Sequence, residues 1–254
     1  MKIKAIALNT FKEAIRDRIL YLLLFFAAVA LVFSRVLAVL TVGDRVKIIK
    51  DVGLSSISLF GVLMAIMIGT GLVYKEIDKK TIYTLLSKPI QRWQFLLGKF
   101  FGLVLTLFIM TLAMSLIFLV IVLLYTGRLE GSMLLAILFI FIELVLITAV
   151  AILFSCFSTP ILSSIFSLSF YLIGHLSWGL ETLIQKTRPG MSRIALRGLS
   201  AVLPDLENFN FKTEIVHGLA IDPRFYLYSA VYGLVYTLFI LALAVLIFKK
   251  RDFV

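Results

Sequence analysis

Six long apolar runs, at about 19–41, 54–74, 99–126, 133–154, 161–180 and 225–248, alternate with polar breaks along the chain. A helix needs roughly 20 apolar residues to cross a bilayer, so each run predicts a spanning α-helix. An even number of spans puts both ends of the chain on one side. Gly43-Asp44-Arg45, Thr126-Gly127-Arg128 with Glu130-Gly131, and Ser158-Thr159-Pro160 are the breaks. Glycine, proline and charge interrupt the helical pattern there. The fold class expected is all-α, a polytopic bundle forming one membrane domain over 1–254.

Ahead of the first run, Leu8, Phe11 and Ile15 recur at helical spacing, with Lys4, Lys12 and Arg16 off that stripe. This pattern predicts an amphipathic helix over 4–18 that lies in the membrane interface and leads into the first span. Ala28-Val29-Ala30 looks like a signal-peptidase site, but the run containing it is too long for a signal-peptide core and follows an amphipathic segment. The run is therefore retained as a span.

Composition agrees: 61% of the residues are hydrophobic, 15% are charged and mean hydropathy is +1.08, more apolar surface than one soluble core buries. The formal charge of +11 is spread between the apolar runs instead of forming a tail or stripe, which argues against nucleic acid and for anionic headgroups or an acidic partner. With the termini inside, 14 Lys and Arg lie on the cytoplasmic side and 11 outside, six of these within 181–224. Long loops weigh little in the positive-inside rule, so both termini are expected in the cytoplasm of a cell-membrane protein. Cys156 is the single cysteine, and no internal disulfide is available.

Two connections are long enough to carry function: 75–98, expected to be cytosolic, and 181–224, expected to be external. In the first, Asp78 is placed to cap a short helix running to about Ser87, Pro89 ends it, and a second helix restarts near Gln91. Ile82, Leu85 and Leu86 would form an apolar knob between charged residues, held by the spans on either side. In the second, Ser192 is placed to cap a helix running to Leu203, stopped by Pro204, with Ile194, Leu199 and Val202 on one side. That helix would lie on the outer surface or cap the spans. Glu207-Asn208-Phe209-Asn210-Phe211 marks a stretch able to gate an exit or touch an extracytoplasmic partner.

The order Glu76, Lys80-Thr81, Leu85-Leu86, Lys88-Pro89-Ile90, Arg92-Trp93 and Gly98-Lys99 resembles the loop of ABC-transporter permeases of the six-span exporter class. Nearly the whole chain shares the resemblance, through the N-terminal amphipathic segment, the spacing of the spans and the basic tail ending Arg251-Asp252-Phe253. Short permeases encoded with a separate ATPase are similar, among them those that help mature nitrous oxide reductase. The resemblance implies a permease dimer, homomeric or with a second permease, served by two ATPase subunits. It makes 76–93 the coupling segment, with Glu76, Asp78, Thr81, Ile82, Leu85, Leu86, Pro89, Arg92 and Trp93 as its contact residues. ATP and Mg²⁺ are then expected on the partner ATPase and no cofactor on this chain. Gly98-Lys99 is followed by Phe100 and lacks the upstream glycine of a phosphate-binding loop. Gly69-Thr70-Gly71 lies within a span, where close helix packing explains it better than nucleotide binding.

Glu143, near the middle of the fourth run, is the translocation-path candidate, because an ionisable group at that depth is costly. It stands equally as a structural group, protonated or bonded to a hydroxyl such as that of Thr148. His175 and His217 are far apart in sequence, and no metal site is expected of them. Met64 with Met67 and Met110 with Met114 have a spacing open to a soft ion, though flexible packing accounts for such pairs. Gly98 and Gly102 open the third run with a pattern suited to close helix contact. No catalytic motif emerges, and the chain is not expected to be an enzyme. A secondary transporter or channel using Glu143, and a structural membrane anchor, are the competing classes.

Overall fold

In a computed structural model, the described residues are 2–40, 44–78 (side chains to 71), 91–128, 130–176, 204–219 and 221–250 (side chains to 249), with seven single positions between 182 and 197. Among them all regular structure is helical: α1 Lys2–Ile15, α2 Arg18–Leu40, α3 Arg45–Asp78, α4 Arg92–Thr126, α5 Gly131–Ser155, α6 Pro160–His175, a 3₁₀ turn Leu206–Phe209, α7 Lys212–His217 and α8 Pro223–Lys250.

Local chemistry sets several helix ends. Asp17 Oδ1 accepts from the Ile19 N–H at 3.0 Å and caps α2. Gly127 and Gly218 close α4 and α7 in the left-handed conformation, with φ of 65° and 67°. Pro160 and Pro223 supply first-turn residues with no N–H to satisfy, and Asp222 Oδ1 takes the Arg224 N–H at 2.9 Å.

Five of the helices, α2, α3, α4, α5 and α8, are long and apolar enough to cross a membrane. The fifth expected span, 161–180, is represented by α6, which has 16 residues and ends at His175; 177–180 lie outside the described residues. The helix of the third expected span starts at Arg92, beside the restart expected near Gln91, and its 35 residues reach about 52 Å at 1.5 Å per residue. Likewise α3 continues to Asp78, and the short helix expected from Asp78 to Ser87 lies outside the described residues.

The bundle is organised around α3 and α5. The most apolar windows of these two are 67% and 61% buried, whereas α2 is 22% buried and shows Phe25, Phe33 and Val36 outward. Small residues bring the central pair together. A Cβ on Gly61 would meet the Leu144 side chain at 2.7 Å, and one on Gly69 would meet Ala151 Cβ at 3.1 Å. Helix packing is thus the role of Gly69, while Gly71 meets nothing within 4 Å. Beside them Thr70 Oγ1 lies 2.9 Å from Ser164 Oγ of α6.

The N-terminal segment is a separate helix with a break at Arg16 and Asp17, but its packed face differs from the expected stripe. Thr10 and Ala14 are buried and Ile6 and Ala7 meet α4, whereas Leu8 is 43% exposed. The partner is α4: a Cβ on Gly98 would meet Ile6 at 2.7 Å, and one on Gly102 the Ala7 carbonyl at 2.6 Å. Gly98 and Gly102 therefore do allow close approach, and the helix they admit is α1. We call the end of the bundle carrying α1, the start of α4 and the end of α8 the terminal face, and the opposite end the distal face.

Residues 204–219 pack into the bundle rather than lying over it. Leu206, Phe209, Phe211 and Ile215 are all under 5% exposed. Phe211 sits against Phe139 of α5 and Tyr226 of α8, with ring centroids 4.6 and 4.9 Å apart. The expected helix from Ser192 to Leu203, with Ile194, Leu199 and Val202, lies largely outside the described residues.

Candidate functional site

Two regions carry polar chemistry that the packing alone does not require. The first is the terminal face, where α4 begins. Gln91 precedes the helix in an extended conformation, its N–H donating to Gln94 Oε1 at 3.3 Å and its side-chain oxygen accepting from the Trp93 indole. Arg92 reaches across to α8, donating from Nη1 to the carbonyls of Phe248 at 3.2 Å and Lys249 at 2.9 Å. Those carbonyls belong to the last turn of a helix, where no intrahelical donor remains, so a guanidinium satisfies them and complements the helix dipole. One turn on, Phe95 stacks on Phe248 with centroids 6.0 Å apart.

Lys99 is 1% exposed, and its ammonium lies 3.5 Å from Glu13 Oε2 of α1 and 6.0 Å from the Phe95 ring centroid. A buried ammonium needs such partners. Lys99 thereby fixes α1 against α4 close to the Gly98 and Gly102 contacts.

Of the coupling residues named from the sequence, Thr81, Ile82, Leu85, Leu86 and Pro89 lie outside the described residues. Glu76 and Asp78 are on the final turns of α3, and their side chains also lie outside the description. Arg92 and Trp93 are described. Arg92 is engaged with α8, and Trp93 is 41% exposed on the terminal face.

The second region lies inside the bundle. Glu143, 1% exposed at the middle of α5, places Oε1 2.6 Å from His175 Nε2 at the end of α6. The other ring nitrogen, Nδ1, lies 3.3 Å from Oε2 of Glu207 in the 3₁₀ turn. Tyr171, one turn back on α6, meets the imidazole edge to face at 4.7 Å. Thr148, the hydroxyl expected to serve Glu143, instead donates to the Leu144 carbonyl of its own helix at 2.7 Å.

The surroundings hold this trio in place. A Cβ on Gly174 would meet Leu206 at 2.6 Å and the Pro204 carbonyl at 3.2 Å, so the turn lies directly on the end of α6. Gly233 of α8 leaves equal room for Ile142 and Phe209. The Asp205 N–H donates to Tyr232 Oη at 2.9 Å, and Asp205 Oδ1 takes the Glu207 N–H, ordering the turn that carries Glu207. Chemically, the arrangement can hold and exchange protons between a buried acid, an imidazole and an acid near the distal surface.

The sequence pattern singled out Glu143 but missed its partner. Two consecutive apolar runs each carrying an ionisable residue was the available signal, since each needs a polar neighbour in the same interior. His217 is remote from this trio and lines a cleft of about 230 Å³ with Lys47 and Asp51 at the distal face. Among the described residues no group of three or more His, Cys, Asp or Glu is arranged to hold a metal ion.

Compared with known proteins, residues 4–253 match the family model described as ABC-2 family transporter protein. No curated protein matches the chain.

Proposed function

The chain belongs to the ABC-2 family of transporter proteins, and it is accordingly a multi-pass membrane permease of an ABC transporter. From this premise we propose that it works as a dimer, homomeric or with a second permease, exporting its substrate. Two separate ATPase subunits would dock on the segment 76–93. ATP and Mg²⁺ belong to those partners in this reading.

The single observation that carries the proposal is the family match over 4–253, which spans the candidate coupling segment. Supporting it, α3 and α4 flank residues 79–90 as long helices, so a force applied to that connection is delivered to both. Arg92 and Lys99 tie the start of α4 to α8 and to α1, which spreads the same displacement over three helices. The terminal face is the cytoplasmic one, consistent with its share of Lys and Arg. Within this arrangement α1 lies at the membrane interface and α6 is the sixth span. Glu143 borders the path, and the distal segment 204–219 meets any extracytoplasmic partner. Similarity to the permeases that mature nitrous oxide reductase remains part of this proposal, resting on the loop sequence.

The test is co-purification. A tagged chain extracted in mild detergent is expected to bring down an ATPase in equal amount, and Leu85→Asp with Leu86→Asp to lose it while inserting normally. An intact protein that carries no ATPase in several gentle detergents would overturn the coupling assignment.

A further inference from the structure

The trio at the end of α6 has an uncommon property: both ring nitrogens of His175 face carboxylate oxygens. An oxygen of an ionised carboxylate only accepts, and an imidazole nitrogen without hydrogen also only accepts. The 2.6 Å and 3.3 Å contacts therefore each need a hydrogen between the heavy atoms. Two hydrogens on three groups is one more than a neutral imidazole between two carboxylates carries. Either the ring is an imidazolium, or Glu143 is a carboxylic acid donating to Nε2 while Nδ1–H donates to Glu207.

Burial makes that extra hydrogen matter. Without it, the ring keeps a single hydrogen, which sits on Nε2 toward the buried Glu143, and Nδ1 then presents a lone pair to Glu207 at 3.3 Å. Two facing acceptors repel, so the contact that ties the 3₁₀ turn to α6 is the one that is lost. Among the described residues, the groups facing His175 come from four elements. Glu143 comes from α5, Glu207 from the 3₁₀ turn, Tyr171 from α6 itself and Lys212 from α7, the last adding a like charge. Ser58 of α3 faces Tyr171, and Tyr232 of α8 is occupied by Asp205.

We propose that Glu143, His175 and Glu207 form a proton-binding site that clasps the segment 204–219 into the distal half of the bundle, so that loss of its proton frees that segment. Glu207 is half exposed and is the route by which the proton comes from solvent on the distal side. The docked state holds one proton more than the released one. Docking is thus complete at low pH and is lost as pH rises through the value at which the site gives up its proton. The inference needs no ATPase and stands or falls apart from the transport reading.

Hydrogen exchange of the full chain in lipid nanodiscs tests it, followed on peptides within 204–219 between about pH 6 and pH 9. After division by intrinsic rates, protection is expected to fall about tenfold per pH unit above the onset. Glu143→Gln, whose amide donates permanently to Nε2, should remove that slope, and Glu130→Gln, a carboxylate outside the trio, should keep it. Glu207→Gln, at an exposed position, should end the fall at lower pH, because the anion that helps hold the proton in the docked state is gone. Protection that is flat with pH in the unaltered chain, or a pH profile unchanged in both Glu143→Gln and Glu207→Gln, would overturn the proposal.

Discussion

At the scale of single residues, the informative positions are charges held inside apolar surroundings. Lys50 of α3 is 6% exposed, and its ammonium lies 2.8 Å from both carboxylate oxygens of Glu130, just ahead of α5. Removing the two partners is not equivalent. Glu130→Gln leaves a buried ammonium without its counter-charge and is expected to cost about 1–2 kcal/mol, discounted because Glu130 is half exposed. Lys50→Met removes the buried charge and fills its space, so it should cost less than about 1 kcal/mol. Thermal unfolding in micelles checks the order, and equal losses would show that side-chain packing outweighs charge here. Glu143 was legible as a residue needing explanation because a carboxyl in a 25-residue apolar helix is conspicuous. His175 was not, since the two are 32 positions apart and meet only once α5 and α6 are packed together.

At the scale of elements, caps and breakers located most helix starts. Pro89 and Gln91 placed the beginning of α4 within a residue, and Pro160 did the same for α6. Faces were harder to read. Leu8, Phe11 and Ile15 form the more hydrophobic stripe of α1, yet Leu8 is exposed while Ile6, Ala7 and Thr10 meet the pair of glycines on α4, which admits a close-fitting surface there. Hydrophobic periodicity cannot see that fit, which depends on the partner. A leucine at Gly102 would push against the Ala7 carbonyl, and backbone does not yield as a flexible side chain does. Gly102→Leu is therefore expected to cost about 2 kcal/mol and to detach α1, read as faster trypsin cleavage at Lys12. Gly71→Ala, with open space around it, should leave both stability and cleavage within about 0.5 kcal/mol and twofold.

At the scale of the whole molecule, the apolar runs located the spans well because lipid imposes length and hydrophobicity on any helix that crosses it. What they concealed is which helices are central. The windows of α2 and α8 are as apolar as that of α3, but only 22% and 33% buried, so those two face outward. Leu238 of α8 is 58% exposed and Ala149 of α5 fully buried. In a Cys156→Ala background, a nitroxide at Leu238→Cys is expected to relax readily with oxygen dissolved in the acyl chains, and Ala149→Cys to resist labelling. Equal accessibility would mean that α5 is not central. The segment 204–219 escaped the sequence pattern for a related reason: its five buried aliphatic and aromatic anchors, Leu206, Phe209, Phe211, Ile215 and Val216, are interspersed with polar residues.

The pairing of Lys50 with Glu130 has a mechanical consequence. It grips α3 near one end, while Asp78 lies 28 residues further on, about 42 Å at 1.5 Å per residue. A stiff rod held there acts as an arm with its fulcrum at the distal face. Tilting it by about 5° sweeps the far tip through nearly 4 Å, roughly the width of a side chain, yet moves residues beside the fulcrum by a small fraction of that. A partner pushing at the tip gains leverage on the fulcrum end, and small rearrangements there are written large where the partner sits.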